Sequence, residues 1–303
     1  MIVRPRLSGL RLLFVWDGSI LQSVLPQLAF MALVSCVAVA THGRVLGEKI
    51  PLNATLLTPF GLTLAIFLGF RNSASFQRFD EGRHLWGALL IAVRSLMSQM
   101  LSALPDAAEH RPLARCLIAL VHALRHELRG SAAGADLQRL LGPADAQRLQ
   151  GRCQVSTTLL HELRERLSAL NAAGRLSDAR LWAMETQLTE IARAIGGCER
   201  IANTPIPFAY GVLLHRTVYT YCLLLPFGFV DATSFFTPLL CVFMGYTLIA
   251  LEAVANEVAE PFGLAPNALA LDALARNIER AVLDLCGLPL PPPLQPNARS
   301  QLT

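Results

Sequence analysis

The chain has 303 residues, 53% of them hydrophobic and 16% charged, with a mean hydropathy of +0.44. Soluble domains carry about 25% charged residues, so these totals argue against a wholly soluble protein and leave room for a membrane portion beside one soluble helical portion. The net charge of +4 comes without a basic cluster interleaved with aromatics, which argues against nucleic-acid binding.

In chain order, residues 1–19 are a basic segment. Arg4, Arg6 and Arg11 precede an apolar stretch that ends in Ala38-Val39-Ala40, a pattern shared with signal-peptide cleavage sites. The stretch 20–40 is long for a signal peptide and further apolar segments follow. It is therefore read as a retained first span with its basic flank inside. A span needs about 20 apolar residues. Three more segments qualify: 54–72, 207–230 and 234–252. The link Thr41–Asn53 is short, and Asp231-Ala232-Thr233 is a tight turn.

Between the second and third spans, residues 73–206 are rich in Arg and read as helices throughout. Apolar residues recur at helical spacing in RCLIALVHALRHEL, LLHELRERLSAL and LWAMETQLTEIARAI. Breaks fall at Gly130–Gly134, Gly142-Pro143 and Asn171–Gly174, and Ser177-Asp178 has the form of a helix start. No strand alternation is evident. Helices are expected over 253–290, and 291–303 is a Pro-rich, extended and mobile tail. The Arg-rich middle and the basic N-terminus belong on the cytoplasmic side, and four spans place both termini there.

Few residues point to chemistry. The seven cysteines are scattered without a C-x-x-C, which reads as free buried thiols. His122 and His126 stand one helical turn apart, a spacing that can hold a metal. With no clear third ligand they read as a solvated helix face, and no metal is expected. HELRE at 161–165 lacks the second His of a zinc-protease motif. Asn53-Ala54-Thr55 matches a glycosylation sequon and carries little weight. No nucleophile–base constellation is present, so the chain is not read as an enzyme and no cofactor is expected.

The second span is the most informative segment. Leu62, Ile66 and Phe70 recur at i, i+4, i+8 and share one helix face. Such a face either packs on a neighbouring helix or forms a hydrophobic constriction in a pore, which gates by dewetting. The helix then turns polar at Arg71 and Asn72 without a proline, as though it leaves the bilayer intact. Arg216 interrupts the third span, with Glu252 as its candidate partner. Such a residue marks function by default, or snorkels to the interface. Asp80, Glu81 and Glu257 could form acidic rings in a vestibule, or ordinary surface salt bridges.

Separated stretches of the chain resemble the bestrophin family, most closely its bacterial branch. They are WDGSI at Trp16–Ile20, IFLGF at Ile66–Phe70 followed by Arg78 and Phe79, NTPIPFAY at Asn203–Tyr210, and EPFG at Glu260–Gly263. The resemblance implies an all-α membrane protein with four transmembrane helices per subunit and a cytosolic helical region. It implies a homopentamer around a central pore, in the bacterial inner membrane. It assigns Leu62, Ile66 and Phe70 to the pore neck and Ile206 to a second, cytosolic constriction. Its bacterial branch implies passage of monovalent cations such as sodium; the alternatives are a chloride channel of the same architecture or a non-conducting membrane scaffold. The implied partners are the lipid bilayer, further copies of the chain and the permeant ions. Animal members place consecutive acidic residues after Pro-Phe-Gly as a calcium clasp. Leu264-Ala265-Pro266-Asn267-Ala268 has none, so calcium gating of that type is not expected.

Overall fold

The structure, a computed structural model, describes residues 1–4, 9–12, 15–45, 48–49 and 51–303. Arg6 of the basic flank lies outside the described residues. The first span is helix α1, Leu21–Ala40. The second is the beginning of α2, Ala54–Ala103, a single 50-residue helix. The third and fourth are α8, Phe208–Thr233, and α9, Thr237–Ala259. These helices contain segments long and apolar enough to cross a membrane. Between the second and third spans lie α3 (Ala107–Arg129), α4 (Gly134–Leu141), α5 (Pro143–Leu149), α6 (Val155–Ala172) and α7 (Asp178–Asn203). Helix α10, Leu271–Leu285, follows the fourth span.

Two compact units emerge. The spanning unit comprises Pro5–Arg78 and Pro205–Glu260; the bundle unit comprises Met1–Arg4, Phe79–Thr204 and Pro261–Thr303. Helix α2 supplies residues to both.

In the spanning unit, α1 packs on α8 and α9, and α8 on α9. Their core holds Val24, Leu28, Met31, Leu214, Val218 and Leu225, joined by Leu57, Leu64 and Leu68 of α2. Asn53 starts α2, its Oδ1 accepting from the Leu56 N–H at 2.9 Å. This is a capping role for the residue of the sequon. The α1–α2 link contains a small antiparallel pairing of Arg44–Val45 with Glu48–Lys49, a hairpin that the sequence reading did not anticipate. Two residues per strand give no hydrophobic alternation to detect. Helix packing is close where glycine faces a large side chain. A Cβ at Gly61 would lie 2.5 Å from the Tyr221 Oη.

The bundle unit is built around α3, whose Leu113–Leu124 stretch is buried almost all round, except at Arg115. A helix apolar on every side belongs inside a core. Asp106 caps its start, its Oδ1 accepting from the Ala108 N–H at 2.9 Å. Gly130, at φ 60°, ends it. Helices α4, α6, α7 and α10 surround it. The helix breaks fall where glycine marked them. Helix α7 begins at Asp178 with Ser177 as its N-cap residue, although the Ser177 side chain makes no capping bond.

The C-terminal tail corrects one expectation. Residues 288–296 form no helix or strand, as their prolines favour. The end of the chain, however, is anchored rather than mobile. Ile2 and Gln301 form an antiparallel bridge, the Leu302 N–H donates to the Met1 carbonyl at 2.8 Å, and the Ala273 N–H donates to the Thr303 carbonyl at 2.9 Å. The free thiols are likewise not all buried, since Cys36 and Cys153 are exposed.

The Gly61 contact predicts that Gly61→Val, which adds bulk against a ring with little room to move, destabilises the spanning unit by roughly 1–3 kcal/mol. A lowered thermal midpoint in detergent, with the wild-type helix content retained, is the expected measurement.

Candidate functional site

Helix α2 buries a narrow stripe in the spanning unit: Leu57, Leu64, Leu68, Arg71 and Ser75. At 100° per residue these positions share one direction, and Leu62, Ile66 and Phe70 point about 180° away from it. They are 64%, 50% and 63% exposed. The structure thus brings the triplet together on one face and leaves that face uncovered by its own chain. Ile206, just before α8, is half-buried.

Beneath the triplet, Arg71 is only 8% exposed. Its Nη2 donates to the Asn256 Oδ1. Glu252, 4% exposed, accepts from the His215 Nδ1 at 2.9 Å. This replaces the expected Arg216–Glu252 pair. Arg216 follows His215 by one residue, a turn of about 100° around the helix, and its side chain is exposed.

Of the acidic candidates, Glu81 is exposed and Asp80 is half-buried. Asp80 accepts from Arg83 at 2.6 Å and lies 3.3 Å from the His84 Nδ1. Glu81 pairs with Arg200. Glu257 is half-buried. Two of the three therefore carry a basic neighbour in their own subunit.

His122 and His126 do not form a solvated face. His122 is 1% exposed, and its Nε2 lies 2.9 Å from the Glu279 Oε2. Its Nδ1 is 3.7 Å from Asp136. His126 meets Asp136 through Nε2 at 3.1 Å and the Ser131 Oγ through Nδ1 at 2.7 Å. Arg139 donates to Glu279 at 2.6 Å and to Asp136 at 3.1 Å. Burial pushes the Glu279 carboxyl up, but hydrogen bonds from His122 and Arg139 outweigh it and hold it at about 2. Asp136 also lies at about 2, where hydrogen bonds and charges from His126, His122, Arg139 and Arg125 overcome burial. Burial, followed by the Arg125 and His122 charges, lowers His126 against the opposing pull of Asp136. The arrangement is an ion-paired brace joining α3, α4 and α10. No cluster of three metal-binding side chains occurs among the described residues.

A family model described as Bacterial/Fungal Bestrophin protein matches residues 1–284. The chain belongs to the bestrophin family. The voltage-dependent anion channel-forming protein RSc3414 of Ralstonia nicotianae is 41% identical, over 95% of each chain. The voltage-dependent anion channel-forming protein YneE of Escherichia coli K12 is 39% identical over the whole of both. The crystal structure of a bacterial bestrophin homologue from Klebsiella pneumoniae superposes with a TM-score of 0.84 at 39% identity, covering 88% of this chain and 99% of that one. The protein is thus a bestrophin-family ion channel of the membrane, with a mostly helical fold, and not an enzyme. The relatives' names give no support to the expected preference for monovalent cations and lean instead toward anions.

Sequence reasoning missed the burial of Arg71 and the His122–Glu279 pair. The first had a visible signal, since Arg71 continues the Leu57–Leu64–Leu68 stripe at helical spacing. The second joins residues 157 positions apart, and no local pattern signals it.

The brace has an acid-sensitive signature. Glu279 drops from its ordinary 4.5 to about 2 on folding. Its stabilisation is therefore present above the ordinary value and is lost as pH falls from about 4.5 toward 2. Glu279→Gln lowers stability at neutral pH by roughly 1.5–3 kcal/mol, nearer the smaller figure because water screens the half-exposed Arg139. It also flattens the acid side of the stability profile. Thermal melts of both proteins from pH 7 to pH 2 check both effects.

Proposed function

We propose that the chain assembles as a homopentamer in the bacterial inner membrane, with both termini cytoplasmic, around a pore whose neck is formed by Leu62, Ile66 and Phe70 from each copy. Ile206 forms a second constriction on the cytoplasmic side, and residues 73–206 and 253–290 build the cytoplasmic region. One observation carries this reading: the triplet stands on the face of α2 opposite its buried stripe, and it is exposed in the subunit. An apolar face of this kind needs lipid or other copies to cover it, and a ring of copies places it around an axis. Large uncharged side chains at a constriction impede a hydrated ion unless the pore wets.

The neck carries no charge and does not choose the sign of the ion. Pairing of Asp80 with Arg83 and of Glu81 with Arg200 weakens the case for acidic rings. The relatives are named for anions, and passage of monovalent anions is the reading we adopt over sodium. After Pro-Phe-Gly, the first carboxylate is that of Asp272, and it is engaged by Arg129 at 2.7 Å and by Arg125 at 3.2 Å. A calcium clasp has no free ligands to draw on there.

Planar-bilayer recording under a sodium chloride gradient tests the ion. A reversal potential near the chloride equilibrium value is expected, and one near the sodium value would return the cation reading. Ile66→Ala should raise single-channel conductance severalfold by widening the neck. Silence from both intact proteins would leave a membrane scaffold instead. Micromolar calcium added to either side should leave the current unchanged, and activation by it would show a calcium site that the loop after Pro-Phe-Gly does not provide.

A further inference from the structure

The spanning unit contains a cavity of about 410 Å³ lined by Arg71, Gly211, His215, Arg216, Glu252 and Asn256. Burying a guanidinium is costly unless its donors are satisfied. The Arg71 Nη2 has Asn256, but its Nε and Nη1 are buried without a hydrogen-bond partner. Among the described residues these two atoms find no partner within the subunit. The Glu252 carboxylate, the lining group of opposite charge, is bound to His215 at 2.9 Å.

Two further features favour a negative occupant. Arg216 adds a second guanidinium to the lining, so two permanent cations face one carboxylate. The first turn of α8 borders the cavity through Ile206, Pro207 and Phe208, and no side chain caps that helix end. Its exposed N–H groups and the positive end of the helix dipole attract an anion. Gly211 lets the Arg71 guanidinium lie close against the first turns of α8, since a Cβ there would lie 3.1 Å from Nη1.

We propose that this cavity binds a phosphate group, with Arg71 as its principal donor and Arg216 and the start of α8 in support. Phosphate offers several acceptor oxygens and pairs strongly with guanidinium N–H groups. It arrives either on a phospholipid headgroup or as the free ion. The proposal is independent of which ion the channel conducts.

The test uses the full-length purified protein in detergent. Phosphatidylglycerol is offered beside diacylglycerol with the same chains, and retention is read by native mass spectrometry. Inorganic phosphate is titrated separately as a competitor. The wild type should retain phosphatidylglycerol in preference to diacylglycerol, and Arg71→Gln should weaken it roughly ten- to hundredfold. Arg216→Gln should weaken it less. Gly211→Ala, which crowds Nη1 without removing charge, supplies the same test if Arg71→Gln fails to assemble. Displacement by inorganic phosphate would identify a site open to the free ion, and resistance to it would identify the lipid headgroup. Equal retention of diacylglycerol, or retention unchanged in Arg71→Gln, or unchanged in both Gly211→Ala and Arg216→Gln where Arg71→Gln does not assemble, would overturn the proposal.

Discussion

The structure depends on an imbalance in one helix. Helix α2 has apolar residues all round over its first turns, yet its own chain offers only enough partner surface for the stripe through Leu57, Leu64 and Leu68. Apart from the bond that Pro59 cannot donate, the backbone donors and acceptors of such a helical segment are satisfied internally, which is what lets it stand in lipid at all. Hydrocarbon provides little drive for the uncovered face to find a neighbour, since lipid tails are as apolar as leucine. Association in that setting rests on packing, and Gly61 against Tyr221 shows how closely these helices approach. A subunit that keeps Leu62, Ile66 and Phe70 outside its own core has them available for something other than its own folding.

The change of character along α2 has a simple physical reading. The buried stripe continues without a break from Leu68 to Arg71 and Ser75, so the chemistry changes while the geometry does not. Asn72 donates its side-chain N–H to the Leu68 carbonyl at 3.0 Å, keeping a polar residue satisfied at the transition. Arg78 donates to the Ala259 carbonyl at 3.0 Å and so serves the C-terminal end of α9, where orphan carbonyls need donors. The polar half is thus a set of helix-end and buried contacts as much as a water-facing surface.

Element order and type were legible because hydrophobic length and glycine breaks are local signals. Helices begin within a few residues of the starts expected for the four spans, and Gly130, Gly142 and Gly174 sit at the turns that they marked. What remained hidden was set by partners distant in the chain. His122 and His126 have the spacing of surface residues, but α10 brings Glu279 onto one of them and Asp136 of α4 meets both. The tail looked mobile because prolines forbid regular structure, whereas its anchor lies in backbone bonds to Met1 and Val3 at the other end of the chain. Glu252 was read as a candidate partner of Arg216, whereas its carboxylate meets His215, one residue earlier on the same helix.

Arg71 shows how far a single position can be read. Its spacing puts it on the buried stripe, and its charge makes that placement costly. Asn256 is neutral and satisfies only the Nη2 end of the guanidinium. A chain selecting for subunit stability alone would place a leucine there, since apolar replacement of buried charge is often neutral or stabilising. The energetic debt at Arg71 is therefore better explained by something outside the subunit that the guanidinium holds, and the start of α8, packed close to it at Gly211, adds its N–H groups to the same site.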